Sequence, residues 1–178
     1  MPCAMPSERA GIVLAGRPEG LDDSLIDATL SRLVAAGIQD RVVAGKQPEY
    51  EHVPDPSPGG GPLAAIQAVL QARPQWLGRT LVIVPVDMPS LNVRALQRLT
   101  EIGELDGRGA QFDLGPLPLV LCFTTALKER LDDLLTTGGD RSLVALTRRL
   151  GLPTVASMPD DGLDNQMTSA SRRTDNPS

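Results

Sequence analysis

Apolar positions along the chain fall into two rhythms that alternate. Short continuous runs come first: Ile12–Ala15, stopped by Gly16; Arg41–Ala44; and Arg79–Val84, "RTLVIV", ending at Pro85. Runs of that length suit strands covered on both faces, as in a parallel sheet. Between them the spacing turns helical. Leu25, Ile26, Leu30, Leu33 and Val34 repeat at three and four, with Asp22–Ser24 as N-caps and Gly37 as C-cap. Leu63, Ile66, Val69 and Leu70 repeat likewise after Pro62, which suits a first helical turn. Asn92 caps a third amphipathic stretch through Val93, Leu96 and Leu99. "PLPLVLCF" (Pro116–Phe123) is a strand candidate despite its prolines. "TALKERLDDLL" and "SLVALTRRL" read as helices split by "TTGGDR", and Thr154–Ser157 as a last short strand.

Strands alternating with helices predict an α/β fold, a three-layer α/β/α sandwich with a mostly parallel, Rossmann-like sheet. Residues 1–157 are expected to form a single domain. Residues 158–178 are expected to be a polar, partly disordered tail. The 178 residues suffice to bury roughly 70% of the unfolded chain's surface without a metal or disulfide staple. Ligands of such sheets bind beyond the carboxyl ends of the strands, which draws attention to Gly16 and Asp87.

Composition then removes partners. The chain has two Phe, one Tyr and one Trp, too few for a base-stacking surface, and its net charge of −5 gives no broad footprint on nucleic acid. No apolar run approaches the ~20 residues of a membrane span, and residues 1–10 lack the apolar core of a signal peptide. Two cysteines, Cys3 and Cys122, outline no disulfide framework. A cytoplasmic location is expected.

Candidate chemistry sits at three places. Asp87 in "LVIVPVDMPSL" follows four apolar strand residues and a proline. Its carboxylate either projects into the crevice and holds Mg²⁺, which takes oxygen ligands, or accepts hydrogen bonds within the turn "DMPS". "DPSPGGGPL" carries Asp55 and three glycines before a helix start. Backbone amides there either favour an anion or belong to a flexible loop. "IVLAGRPEG" ends the first strand on a glycine, yet no G-x-x-x-x-G-K-[ST] and no G-x-G-x-x-G occurs. Zinc-ligand spacing is absent, and His52, the single histidine, reads as solvated.

In order along the chain, "IVLAG", "GPLAAIQAVL", "VPVDMPSL", "PLPLVLCF", "GDRSLVALTRRLG" and "LDNQMT" together resemble the molybdenum cofactor guanylyltransferase family and its nucleotidyltransferase relatives, of the nucleotide-diphospho-sugar transferase fold. The resemblance spans about residues 11–168, and "GPLAAI" and "VPVDMPSL" are its most specific pieces. It implies transfer of GMP from GTP to molybdopterin cofactor with Mg²⁺ and release of pyrophosphate; some relatives use CTP. It implies that Leu14, Ala15 and Gly16 line base and phosphate, that Asp55, Gly61, Pro62 and Leu63 contact the nucleotide, that Asp87 is the catalytic metal-binding aspartate, and that Asn165 meets the acceptor.

The chain departs from the family where phosphate is handled. The family reads L-A-G-G-x-S-x-R-M-G-x-x-K; here L-A-G-R-P-E-G leads straight into the first helix. Arg17 replaces the second glycine, the loop is shorter, and its arginine and lysine are gone. Lys46 and Lys128, the two lysines, lie elsewhere. Arg17 is either a substitute cation or a solvated turn residue. "NQMTS" also departs from N-x-N-T-P. Phosphoryl transfer works by positioning and charge, and one lost donor can lower a rate by ~10²–10³. Two functions therefore stand at this point: a guanylyltransferase-like enzyme of reduced or absent activity, and a silent module of the same fold that binds a nucleotide, a pterin or a protein partner.

Overall fold

The computed structural model describes residues 8–15, 23–54 and 60–163. Seven strands form one sheet: β1 (Arg9–Leu14), β2 (Asp40–Ala44), β3 (His52–Val53), β4 (Thr80–Pro85), β5 (Gly109–Phe112), β6 (Gly115–Cys122) and β7 (Thr154–Val155), in the order β3-β2-β1-β4-β6-β5-β7. All neighbours pair in parallel except along β6, which runs antiparallel to both β4 and β5. The described residues also form five α-helices: α1 (Asp23–Ala35), α2 (Gly61–Ala72), α3 (Val93–Asp106), α4 (Thr125–Thr136) and α5 (Leu143–Leu150).

The apolar runs are continuous because both faces of the sheet are covered. Along β4, Leu81 and Ile83 join one core with α2, α4 and α5, while Val82 and Val84 join the other with α1 and α3. The same alternation places Ile12 and Leu14 of β1 on the first face and Val13 on the second. Each such fully buried side chain contributes about 1.5–3 kcal/mol. This is the expected three-layer α/β/α sandwich.

The helices begin where the sequence marks them. Asn92 accepts from the Arg94 amide at 2.8 Å, Thr124 from Leu127 at 3.1 Å and Ser142 from Ala145 at 3.1 Å. Two strands are not legible from the pattern: β5, "GAQF", and β3, the two residues His52–Val53. Of the segment assigned to the tail, Met158–Leu163 is described and packs on the molecule; 164–178 lies outside the described residues. Cys122 is buried, and Cys3 lies outside the described residues. Among the described residues no helix is long and apolar enough to cross a membrane.

Candidate active site

Leu14 and Ala15 end β1 beside the end of β4. Leu14 registers with Pro85, and the Val86 amide donates to the Leu14 carbonyl at 3.2 Å. Ala15 donates its amide to the Ala44 carbonyl of β2 at 3.3 Å. The parallel pairing thus carries three strands to one rim and sets Asp87 two residues past the end of β4. Leu63 packs in the same core as Leu14 and is fully buried, so its side chain anchors the start of α2. Gly61 and Pro62 are exposed at that start, and the N-cap residue Gly60 supplies no side-chain bond to the first-turn amides. Gly16, Arg17, Asp55 and Asn165 lie outside the described residues. Leu14, Ala15 and Asp87 therefore meet at one strand end, with Leu63 packed behind Leu14.

Asp87 lies in a turn that is held from several sides. Val86, Met88 and Leu91 are buried and pin it to the α1–α3 core. The Leu91 amide closes it on the Met88 carbonyl at 3.2 Å. Arg32 of α1 donates to the Pro89 carbonyl at 2.6 Å. Burial lowers the Arg32 pKa from its ordinary value, and its Nη1 has no partner among the described residues. Between two anchored neighbours, Asp87 is half-buried, and its Oδ1 is buried with no hydrogen-bond partner among the described residues.

That oxygen bears on the two sequence readings of Asp87. A buried carboxylate oxygen without a partner is costly, so an oxygen meant for the turn should be satisfied by it. It suits a divalent cation, and Mg²⁺ commonly takes one or two protein carboxylates plus phosphate oxygens. No cluster of three metal-ligating side chains occurs among the described residues.

Arg98 and Asp161 carry no local signal of their pairing. Asp161, in a 3-10 turn at Pro159–Asp161, is 4% exposed and pairs with Arg98 of α3 at 2.7 Å. Burial pulls the Asp161 pKa up, but bonds from Arg98 and the Met158 amide outweigh it, and the net shift is downward. "PDDG" marks a turn; the partner sixty-three residues away leaves no local trace. A cavity of about 380 Å³ lies between α5 and the β5–β7 edge, lined by Gln111, Asp113, Thr147 and Arg148 among others, and none of the sequence-predicted site residues lines it.

The sheet and its rim define the class first. A nucleotidyl transferase from Methanothermobacter thermautotroptrophicus superposes with a TM-score of 0.63 at 16% identity, covering 94% of this chain and 95% of that one. A 4-diphosphocytidyl-2C-methyl-D-erythritol synthase superposes with a TM-score of 0.64 at 10% identity, covering 94% and 98%. The fold is that of the nucleotide-diphospho-sugar transferases. In sequence, the profile of the MobA-like NTP transferase domain matches residues 5–156. A molybdenum cofactor guanylyltransferase of Xanthomonas euvesicatoria pv. vesicatoria (strain 85-10) is 33% identical over 147 residues, 82% of this chain and 72% of that protein. The chain belongs to the MobA-like NTP transferase family.

Proposed function

We propose that the chain binds a nucleoside triphosphate with Mg²⁺ at the carboxyl ends of β1 and β4, and transfers GMP from GTP to a molybdopterin-type acceptor at low rate. The unpartnered Oδ1 of Asp87 at the strand rim carries this reading. In the transfer an acceptor phosphate oxygen bonds to the α-phosphorus, the bond from that phosphorus to the bridging oxygen breaks, and pyrophosphate leaves. Mg²⁺, when bound, supplies positive charge to the phosphates. Asp87 holds the cation. The backbone at Leu14 and Ala15 and the first turn of α2 at Gly61, Pro62 and Leu63 flank the nucleotide; for Gly16 and Asp55 a nucleotide role, and for Asn165 an acceptor role, rest on the family resemblance alone. Arg17 is the candidate substitute cation that the sequence offers in place of the family's lysine. CTP is the alternative nucleotide.

The short loop and its missing lysine support a second reading, a silent module of the same fold that binds a nucleotide, a pterin or a protein partner. The test is transfer of α-labelled GMP from GTP to molybdopterin, with pyrophosphate followed in parallel. Mg²⁺-dependent product that disappears in Asp87→Asn supports the enzyme. Nucleotide binding without product supports the silent module.

A further inference from the structure

After β7 the chain runs as a strap, Ala156–Leu163, against α3 and the residues that follow Asp87. Its Ser157 amide donates to Asp113 Oδ1 at 3.0 Å, fastening one end beside β5. The other end is fastened by Asp161. Arg98 Nη2 donates to its Oδ2 at 2.7 Å and Nη1 to its Oδ1 at 3.3 Å, while the Met158 amide donates to Oδ2 at 2.7 Å. Arg98 also donates to the Ala156 carbonyl at 3.4 Å and lies 5.5 Å from the centre of the Phe112 ring.

The strap in turn grips the segment that follows Asp87. The Asn92 amide donates to the Asp161 carbonyl at 2.9 Å, and Asn92 Nδ2 to the Asp160 carbonyl at 3.3 Å. Gly162 has φ +70, and a Cβ there would stand 1.8 Å from the Ser90 carbonyl oxygen. Backbone therefore lies directly on backbone, with no room for a side chain between. An exposed ion pair would add little. Here the carboxylate is buried and both its oxygens are bonded, so its removal breaks the link between α3, strap and turn together.

We propose that Asp161 is a positioning residue: with Arg98 it presses the strap Ala156–Leu163 onto the turn Val86–Asn92 and so fixes the Asp87 carboxylate for a divalent cation. The part that concerns the cation rests on the proposed role of Asp87. A role confined to capping the 3-10 turn would need only the Met158 bond and would leave the Asp87 turn unaffected.

The test uses the full chain as wild type, Asp161→Asn, Arg98→Lys, Gly162→Ala and Asp87→Asn. Backbone hydrogen exchange is followed over 86–92 and 156–163, and Mn²⁺ binding by electron paramagnetic resonance. Local opening sets such exchange rates. In Asp161→Asn, exchange is expected to rise about tenfold or more in both segments, with β1 and β4 unchanged, and the Mn²⁺ Kd to rise about tenfold; that Kd ratio corresponds to ~1.4 kcal/mol. Arg98→Lys should fall between the two. Gly162→Ala, which keeps the ion pair, should loosen the same two segments, and it decides the matter if Asp161→Asn does not fold. Faster exchange confined to 156–163, with 86–92 and the Mn²⁺ Kd as in wild type, overturns the proposal. Mn²⁺ binding that survives in Asp87→Asn overturns the metal reading instead, and the exchange pattern still decides the coupling.

Discussion

Gly103 sits inside α3, where alanine would ordinarily be the better residue. Replacing a helix-interior glycine with alanine stabilises by about 0.5–1 kcal/mol, because less backbone freedom is lost on folding. At Gly103 the sign should reverse. A Cβ there would lie 2.6 Å from Val120 Cγ1 and 3.2 Å from the Gly109 carbonyl carbon. Neither neighbour yields easily. Val120 is fully buried in β6 and stiff at χ1, and Gly109 is paired to β6 through Leu121. Overpacking of this kind costs about 1–3 kcal/mol. The net expectation for Gly103→Ala is a loss of ~1–2 kcal/mol, a fall in Tm of about 2–8 °C for a domain of this size. Urea and thermal unfolding read it directly. Val120→Ala alone should also destabilise, by leaving a cavity. In the double variant the clash is gone, so the loss should be ~1–2 kcal/mol smaller than the sum of the singles. A higher Tm for Gly103→Ala, or strict additivity in the double variant, would refute the packing account.

Three further outcomes are expected. Tyr50 is the single tyrosine, and partial desolvation with its bond to Asp27 Oδ1 at 2.9 Å pushes its pKa up to about 12; tyrosinate absorbance should therefore titrate near that value and move down in Asp27→Asn, and an ordinary midpoint in the folded wild type would contradict the bond. The depressed Asp161 pKa means its stabilisation is present above the ordinary carboxylate range near ~4 and is lost as pH falls through the lower folded value; the stability gap between wild type and Asp161→Asn should be constant from neutral pH down to that range and narrow below it, whereas a gap that stays constant in acid would oppose this. Ser142→Ala removes the cap on α5 and should cost about 1 kcal/mol by thermal unfolding, with no loss expected if the bond to the Ala145 amide is not made in solution.

Legibility in the sequence followed locality. β1, β4 and α3 could be read because their signals lie within the element: an apolar run, a glycine or proline stop, and Asn92 as a cap. β5 could not, since "GAQF" carries no period of its own and is a strand only through pairing with β6 and β7. β3 has two residues and exists through its pairing with β2. The position of Asp87 past the end of β4 was legible because an apolar run stopped by a proline is a local pattern. The strap was not, because Arg98 and Asp161 meet across sixty-three residues and each looks like an ordinary surface charge. Arg32 was hidden in the same way, by a contact with a carbonyl fifty-seven residues on.

The claim that Asp87 marks a nucleotide–metal site is tested most directly by thermal unfolding with GTP, CTP or ATP, each with and without Mg²⁺, in wild type and Asp87→Asn. A ligand at about 100 times its Kd adds ~2.7 kcal/mol, or about 5–10 °C in Tm for this chain length. The expected result is a Mg²⁺-dependent shift of that size with one nucleotide in wild type and none in Asp87→Asn. No shift with any nucleotide at millimolar concentration, or an equal shift in both proteins, would contradict it.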